Sequence, residues 1–504
     1  MRFGSVIPLA ATVGLLALPG HAAIFVSDVQ ASGAAPSLTL HYLLNEPATE
    51  GSITVATAAA PDTALATIPL TGDNLKQGPH DVAFSTSALA PGEYIYKVSV
   101  TAAAHTGYDV ILPVTTIPGA QTLSYGVKSN KAEGSPGYGH IFTSDYTAHV
   151  VQETNAAGTF VQNIPAPATG DFTPVGLAFD SNGDFYVTDQ NIDHIYQFHA
   201  TGSTIQPTWA QVADFTGPIV DAAQNFGSLM GRGLQLFGTG ADAVAYIAAY
   251  NPVPNPLTRA RLGDTANAPE VLFDGSNIAG TRIDNVLVAP DQKSIYVVSG
   301  AAGIAHLNKY IFAPDPFTGD PVWQADPDFS QNSADTATLI QRSRGVVFAA
   351  DGKSLWMTQS LQNGGAEGNF IARVSLEPLP IDPATTSRIL RIAGGLAEAP
   401  IDTWFALDLD GNGAIDVADA VAAIRKPSAA GAIIARIPTP TLEGAPGPVL
   451  PFTLDTDPAG NLVIGVDADN TQSPIVGTSF YVLALPDDGS SDTATSRPFT
   501  VGGA

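Results

Sequence analysis

One short pattern, used six times, constrains this chain more than any other feature. Its clearest copy is Val175–Asp189, VGLAFDSNGDFYVTD. Leu177 and Phe179 alternate with Gly176 and Ala178, Ser181-Asn182-Gly183 supplies a turn, and Phe185-Tyr186-Val187 resumes the apolar run. Asn-Gly between two such runs is a strong hairpin signal, because both turn residues tolerate positive φ. The form returns at 345–358 with Asp351-Gly352 as the turn, at Val286–Ser299 with Asp291-Gln292-Lys293, and at Phe452–Asp467 with Ala459-Gly460. It returns again at Gly233–Asn251 near Gly238-Thr239-Gly240, and more loosely at Gly126–Asp145 near Gly137–Gly139. The turns fall near 138, 183, 240, 292, 352 and 460, in steps of about 45, 57, 52, 60 and 108 residues. An insertion over roughly 382–427 accounts for the last, long step. A period of about 40–60 residues with several strands per repeat marks a β-propeller blade, so six turns imply six blades.

The run Gly176–Asp180, Gly183–Asp189 and Ile195–Phe198 resembles the blades of NHL-repeat propellers and the related gluconolactonase-like propellers. The resemblance covers roughly 120–380 and 430–504. It implies an all-β fold with a six-bladed propeller, blades one to five over 120–381 and blade six with ring closure over 428–504. In that reading the strand Pro498–Val501 helps to close the ring against the first blade. Function does not follow, because propellers host many unrelated activities.

Ahead of the ring, Met1–Ala23 has the layout of a secretory signal. Arg2 is the positive end, Val6–Leu18 the apolar core, and Gly20-His21-Ala22 the small-residue site before a cut after Ala22. The signal peptide is therefore placed at 1–22 and the protein outside the cytoplasm, periplasmic or extracellular. The apolar run is too short to span a bilayer well, and no other segment is long and apolar enough to do so. The chain has no cysteine, which removes disulfides, thiol catalysis and cysteine–zinc sites and leans towards a bacterial source. Its net charge of −26 disfavours nucleic acid and anionic membranes, whose recognition needs clustered Lys and Arg.

Residues 23–112 alternate with period two. Leu38, Leu40 and Tyr42 recur, then Val82 and Phe84, then Tyr94, Tyr96, Val98 and Val100 after Pro91-Gly92. This predicts an N-terminal immunoglobulin-like β-sandwich. Leu38–Ala48, Gly78–Phe84 and Leu89–Val98 resemble the Ig-like domain of flagellar hook-capping proteins, which implies a spacer or packing module. His41 and His80 are placed on strand surfaces, and residues 106–121 are read as a proline-containing linker.

The sharpest chemical signal is Asp408–Asp419, DLDGNGAIDVAD. Oxygen donors occupy loop positions 1, 3, 5, 9 and 12 as Asp408, Asp410, Asn412, Asp416 and Asp419, with the Ala414 carbonyl at position 7 and Gly413 at the sharp turn. Ca²⁺ takes six to eight oxygens at flexible distances, which this spacing supplies. Four carboxylates around one point would repel without a cation. Asp in place of Glu at position 12, with Val417, Val421 and Ile424 following at helical spacing, resembles a dockerin loop and its exiting helix. Arg388–Leu396 resembles the helix before it, so 382–427 is read as a small α-helical, EF-hand and dockerin-like insertion. The resemblance implies a cohesin partner, yet Leu379–Thr386 lacks the first calcium loop of a dockerin tandem.

No G-x-S-x-G or H-E-x-x-H occurs. Arg232-Gly233 and Arg344-Gly345 hold equivalent places at the starts of two innermost strands. The two arginines are candidates for anion contacts in the central channel, and the glycines for close packing at the axis. Asp145, Asp189 and Asp467 end the second strands of three blades, where an Asp lines a face or closes a turn. Two functions stay open. One is a non-catalytic extracellular module that binds a carbohydrate, a surface or a protein. The other is a metal-dependent propeller hydrolase of lactonase type. The gluconolactonase-like resemblance implies a metal site built from Glu, Asn and Asp with the Glu on an innermost strand. No innermost strand here carries a Glu, which favours binding.

Overall fold

The computed structural model describes residues 24–116, 124–167, 172–190, 194–215, 233–248, 257–264, 269–273, 283–301, 304–315, 318–326, 329, 344–359, 369–377, 431, 433–441, 449–466, 479–487 and 489–502. Within them the chain is all-β, apart from two single-turn 3-10 helices at Gly72–Leu75 and Gly240–Asp242. No helix among the described residues is long and apolar enough to cross a membrane.

Six four-stranded antiparallel sheets carry most of the chain. Their innermost strands are Ser124–Ser129, Pro174–Phe179, Gly233–Phe237, Ile283–Val288, Val346–Phe348 and Pro451–Thr456, in blades one to six. Each packs beside the innermost strand of the next blade, and that of blade six packs beside that of blade one. The sheets thus close into a ring, which leaves no open sheet edge at the axis. The second strands read as continuous buried runs: every residue of Phe185–Asp189 and of Leu462–Val466 is buried. A strand covered on both faces has no use for polar alternation. Between blades one and two the cover is aromatic, with Phe142, Phe179, Phe185 and Trp209 in mutual ring contact.

The six turns sit where the repeat places them, but their mechanism differs from an Asn-Gly pair with two positive φ angles. In blade two only Gly183 has positive φ, +82°. Asp180 leads the turn, its carboxylate accepting hydrogen bonds from the amides of Asn182 and Asp184 at 2.9 and 3.0 Å. Asp351, Asp457 and Asp291 lead their turns the same way. An Asp side chain that mimics a turn carbonyl fixes the loop locally. In blade four Gln292 takes the left-handed position at φ +55°.

A polar contact ties each blade to the next. Ser144 donates to the Val175 carbonyl, and the Gly240 amide to the Tyr186 hydroxyl. Gln235 holds both backbone groups of Val288. Asn285 donates to the Arg344 carbonyl, and Thr358 to that of Phe452. At the last junction the buried Asp455 accepts from the Ser129 amide at 2.9 Å and from Lys131 at 3.0 Å, with Lys128 at 3.5 Å. Burial alone would raise the Asp455 pKa; the two lysines and the amide outweigh it and hold the group below the usual range.

The glycines of the repeat serve backbone approach. A Cβ on Gly345 would lie 2.5 Å from Leu454 Cβ and 2.6 Å from the Leu454 amide nitrogen. Gly233 meets Asn285 and Val286 of the next blade in the same way. Backbone cannot move aside as a side chain can, so Gly345→Ala is expected to destabilise by about 1–3 kcal/mol, at the level of an overpacked core. Denaturant unfolding checks this; a loss below about 0.5 kcal/mol would mean that the ring widens at no cost.

Two further sheets share one apolar core ahead of the ring. Val26–Ala34, Ser37–Leu44 and Gly78–Ser85 form one; Ala66–Pro69, Ala48–Thr57, Gly92–Ala102 and Ser491–Thr495 form the other, with Phe499–Val501 also paired to Gly92–Ala102. Leu40, Tyr42, Ile53, Val55, Tyr96 and Val98 lie between them. The C-terminal strand therefore corrects the expected closure: it completes this sandwich and not the first blade. Closure comes from Asp109–Thr116, expected as linker, which pairs with Ser479–Ala484 as the outermost strand of blade six. The start of blade six also shifts. Ile433–Pro438 pairs with Phe370–Ser375 and is the outermost strand of blade five. The insertion thus leaves blade five between its third and fourth strands, and its residues lie outside those described.

Candidate functional site

All six innermost strands enter the ring at the same end, so residues at their starts share one mouth. Arg344 precedes the strand of blade five, and its side chain reaches three other blades. Its guanidinium carbon lies 4.1 Å from the ring centre of Phe452 in blade six and 5.2 Å from that of Tyr125 in blade one. Its Nε lies 3.5 Å from Asp284 Oδ1 in blade four. A single side chain can touch the inner strands of blades four, six and one only near the axis, so Arg344 sits across the mouth. Its side chain keeps 13% of its exposure, and that of Asp284 keeps 5%. Tyr125 also packs edge-on against Tyr146, ring centres 5.3 Å apart, which extends the aromatic surface to the rim of blade one.

This arrangement is suited to holding a cation fork in place. Aromatic faces attract a guanidinium through their quadrupole, more strongly where water is excluded. Asp284 partly balances the charge from the Nε edge of the guanidinium. The sequence singled out Arg344; it gave no sign of Tyr125, Phe452 or Asp284. Their shared signal is position, since Tyr125, Asp284 and Phe452 are each the second residue of an innermost strand. Arg232 lies outside the described residues, as do Asp408, Asp410, Asn412, Ala414, Asp416, Asp419 and Asp467.

The remaining candidates have local partners. Asp145 is fully buried and accepts the amides of Thr147 and Ala148, closing its turn. Asp189 accepts the amide and hydroxyl of Thr173 and so ties the second strand of blade two to the entry of its first. His41 contacts Asp81 and His80 the Lys76 carbonyl, both on the sandwich. Among the described residues, no three His, Asp or Glu side chains come together as metal ligands would.

On the far side of the ring the sandwich docks through a buried histidine that the sequence did not mark. His140 Nε2 lies 3.0 Å from Asp28 of the sandwich, and Nδ1 lies 2.7 Å from Glu153 of blade one. Glu153 also accepts from Trp209 of blade two at 2.9 Å and from Gln162 at 2.8 Å. Burial would lower the His140 pKa, but the two carboxylates overcome it and raise it to about 10. Asp28 lies in the left-handed region, φ +56°, beside a bulge in its strand. Arg497, near the C-terminus, reaches the carbonyls of Gly202 and Gly134. The sandwich thus covers the turn face of blades one and two, opposite the mouth that holds Arg344.

No family model and no curated protein matches the chain. Among solved structures it is similar to a gluconolactonase from Xanthomonas campestris, at 13% identity over 90% of this chain and 99% of that one, with a TM-score of 0.36. It is similar to virginiamycin B lyase from Staphylococcus aureus, solved with quinupristin, at 13% identity over 75% and 99% of the two chains, TM-score 0.37. It is also similar to hydrazine synthase from Kuenenia stuttgartiensis, at 14% identity over 69% and 95%, TM-score 0.36.

Proposed function

We propose that this chain is a secreted, calcium-binding β-propeller that works as a non-catalytic binding or scaffold module for a carbohydrate, a surface or a protein. The supporting observation is the axial cluster at the mouth facing away from the sandwich. Arg344, clamped by Phe452 and Tyr125, gives aromatic area and directed donors at one point, which suits recognition. The sandwich, read as immunoglobulin-like, is the spacer beneath the ring. The second reading, a metal-dependent hydrolase of lactonase type, draws on Asp284, a carboxylate at the start of an innermost strand. A panel of lactone and phosphate-ester substrates, with and without Ca²⁺, separates the two. No turnover in either condition is expected; metal-dependent turnover would establish the hydrolase.

Calcium is assigned to Asp408, Asp410, Asn412, Asp416 and Asp419 with the Ala414 carbonyl, a hard-oxygen set that suits this cation. A ligand held only by the folded form stabilises it by about 2.7 kcal/mol at a hundredfold excess over its dissociation constant. Chelation is therefore expected to speed hydrogen exchange within 385–427 while the strands of the ring stay protected. Asp408→Ala with Asp419→Ala should reproduce this. Undiminished Ca²⁺ binding by calorimetry in that double variant would place the main site elsewhere and revive the hydrolase.

A further inference from the structure

We infer that the mouth of the ring is a carboxylate-binding subsite, with Arg344 as its receiving fork and the Tyr125–Tyr146 pair as a stacking wall for the ring that carries the carboxylate. The inference deepens the binding reading above by naming the ligand's chemistry. Four observations carry it. Arg344 belongs to blade five yet meets blades four, six and one, so it stands on the axis, where a ligand entering the mouth must meet it. Its position is fixed before any ligand arrives, by Phe452 at 4.1 Å and Tyr125 at 5.2 Å, and by the Asn285 amide on its own carbonyl. A fork held in place loses little freedom on binding, which favours affinity.

Third, among the described residues Asp284 is the one carboxylate paired with Arg344, and at 3.5 Å from Nε it lies beyond ordinary hydrogen-bond length. Two parallel N–H donors on a planar cation match the two oxygens of a carboxylate. Fourth, outward from the buried Phe452 the half-buried Tyr125 and Tyr146 stand edge-to-face at the rim, ring centres 5.3 Å apart. Such a strip accepts the apolar face of a sugar ring or another flat ring attached to the carboxylate. In a chain of net charge −26, a guanidinium at the axis between two aromatic rings is a local exception to the overall field. The ligand class that fits is a ring bearing one carboxylate, such as a uronic acid.

The test is calorimetry on the full chain in Ca²⁺ with three probes: glucuronate, acetate and glucose. Glucuronate should bind more tightly than acetate, and glucose should not bind measurably. Arg344→Lys keeps the charge but removes the planar fork, and should weaken glucuronate at least tenfold. Asp284→Asn removes the competing carboxylate and should tighten it severalfold, an effect that general loss of structure cannot produce. Equal binding of glucose and glucuronate, or glucuronate affinity unchanged in both variants, would overturn the subsite. None of the probes is a lactone, so binding is read apart from turnover. Lactone hydrolysis by the wild type would sink the non-catalytic reading and leave the subsite standing; loss of glucuronate binding alone would do the reverse.

Discussion

Replacing His140 with Ala should lower the stability of the protein by about 3–5 kcal/mol, the usual cost of removing one partner from a buried ion pair. Asp28 and Glu153 would be left facing each other across a cavity, with side-chain exposures of 5% and 0%. The effect should depend on pH. The folded-state pKa of His140 is raised to about 10 from an ordinary value of 6.5. The histidine's contribution is therefore complete below about pH 6.5 and disappears as pH climbs through 10. Wild type and His140→Ala should differ most in unfolding midpoint at pH 6 and converge towards pH 10.5. A gap that stays constant over that range would show the imidazole acting by shape alone. Because the histidine joins the sandwich to blades one and two, the variant should also release the sandwich first, seen as early exchange at Val26–Ala34.

Deleting residues 489–504 should cost at least about 5 kcal/mol in the sandwich, from ladder bonds worth about 1 kcal/mol each and the buried surface behind them. Ser491–Thr495 and Phe499–Val501 run along the whole free edge of Gly92–Ala102. Asp492 and Ser490 also accept the amides of Val26 and Ile24 in the opposite sheet, and Val501 lies in the shared core. The ring should survive, because its sixth blade takes its fourth strand from Asp109–Thr116. Hydrogen exchange should show loss of protection over 26–102 with blades two to four unchanged. Protection retained over Gly92–Ala102 would mean that the C-terminal strands only decorate the edge.

The ring was readable because each blade announces itself locally. Asp180, Asp291, Asp351 and Asp457 each start a turn followed by a buried run, and that pattern needs nothing beyond a dozen neighbouring residues. What could not be read is pairing at long range. Asp109–Thr116 looks like a linker because its partner, Ser479–Ala484, lies at the other end of the chain. Ile433–Pro438 was displaced into the wrong blade because the insertion at 382–427 separates it from Phe370–Ser375. The site follows the same rule. Arg344 stood out beside a repeat glycine, whereas Tyr125, Asp284 and Phe452 become neighbours only when the ring closes. His140 was invisible for the same reason, since its two carboxylates come from different units.

The route of the chain sets an order on its synthesis. It leaves the sandwich, lays down the last strand of blade six, builds five blades, finishes blade six and returns to the sandwich. Neither unit is therefore built from one continuous stretch of chain. Until residues beyond 479 emerge, Asp109–Thr116 has no partner, and until 491–501 follow, Gly92–Ala102 keeps an open edge. An emerging chain must carry two unsatisfied strands through hundreds of residues of translation, the circumstance in which β-rich chains pair wrongly. Both units therefore rest on pairings between distant parts of the chain, which makes long-range closure the slow step expected in their folding.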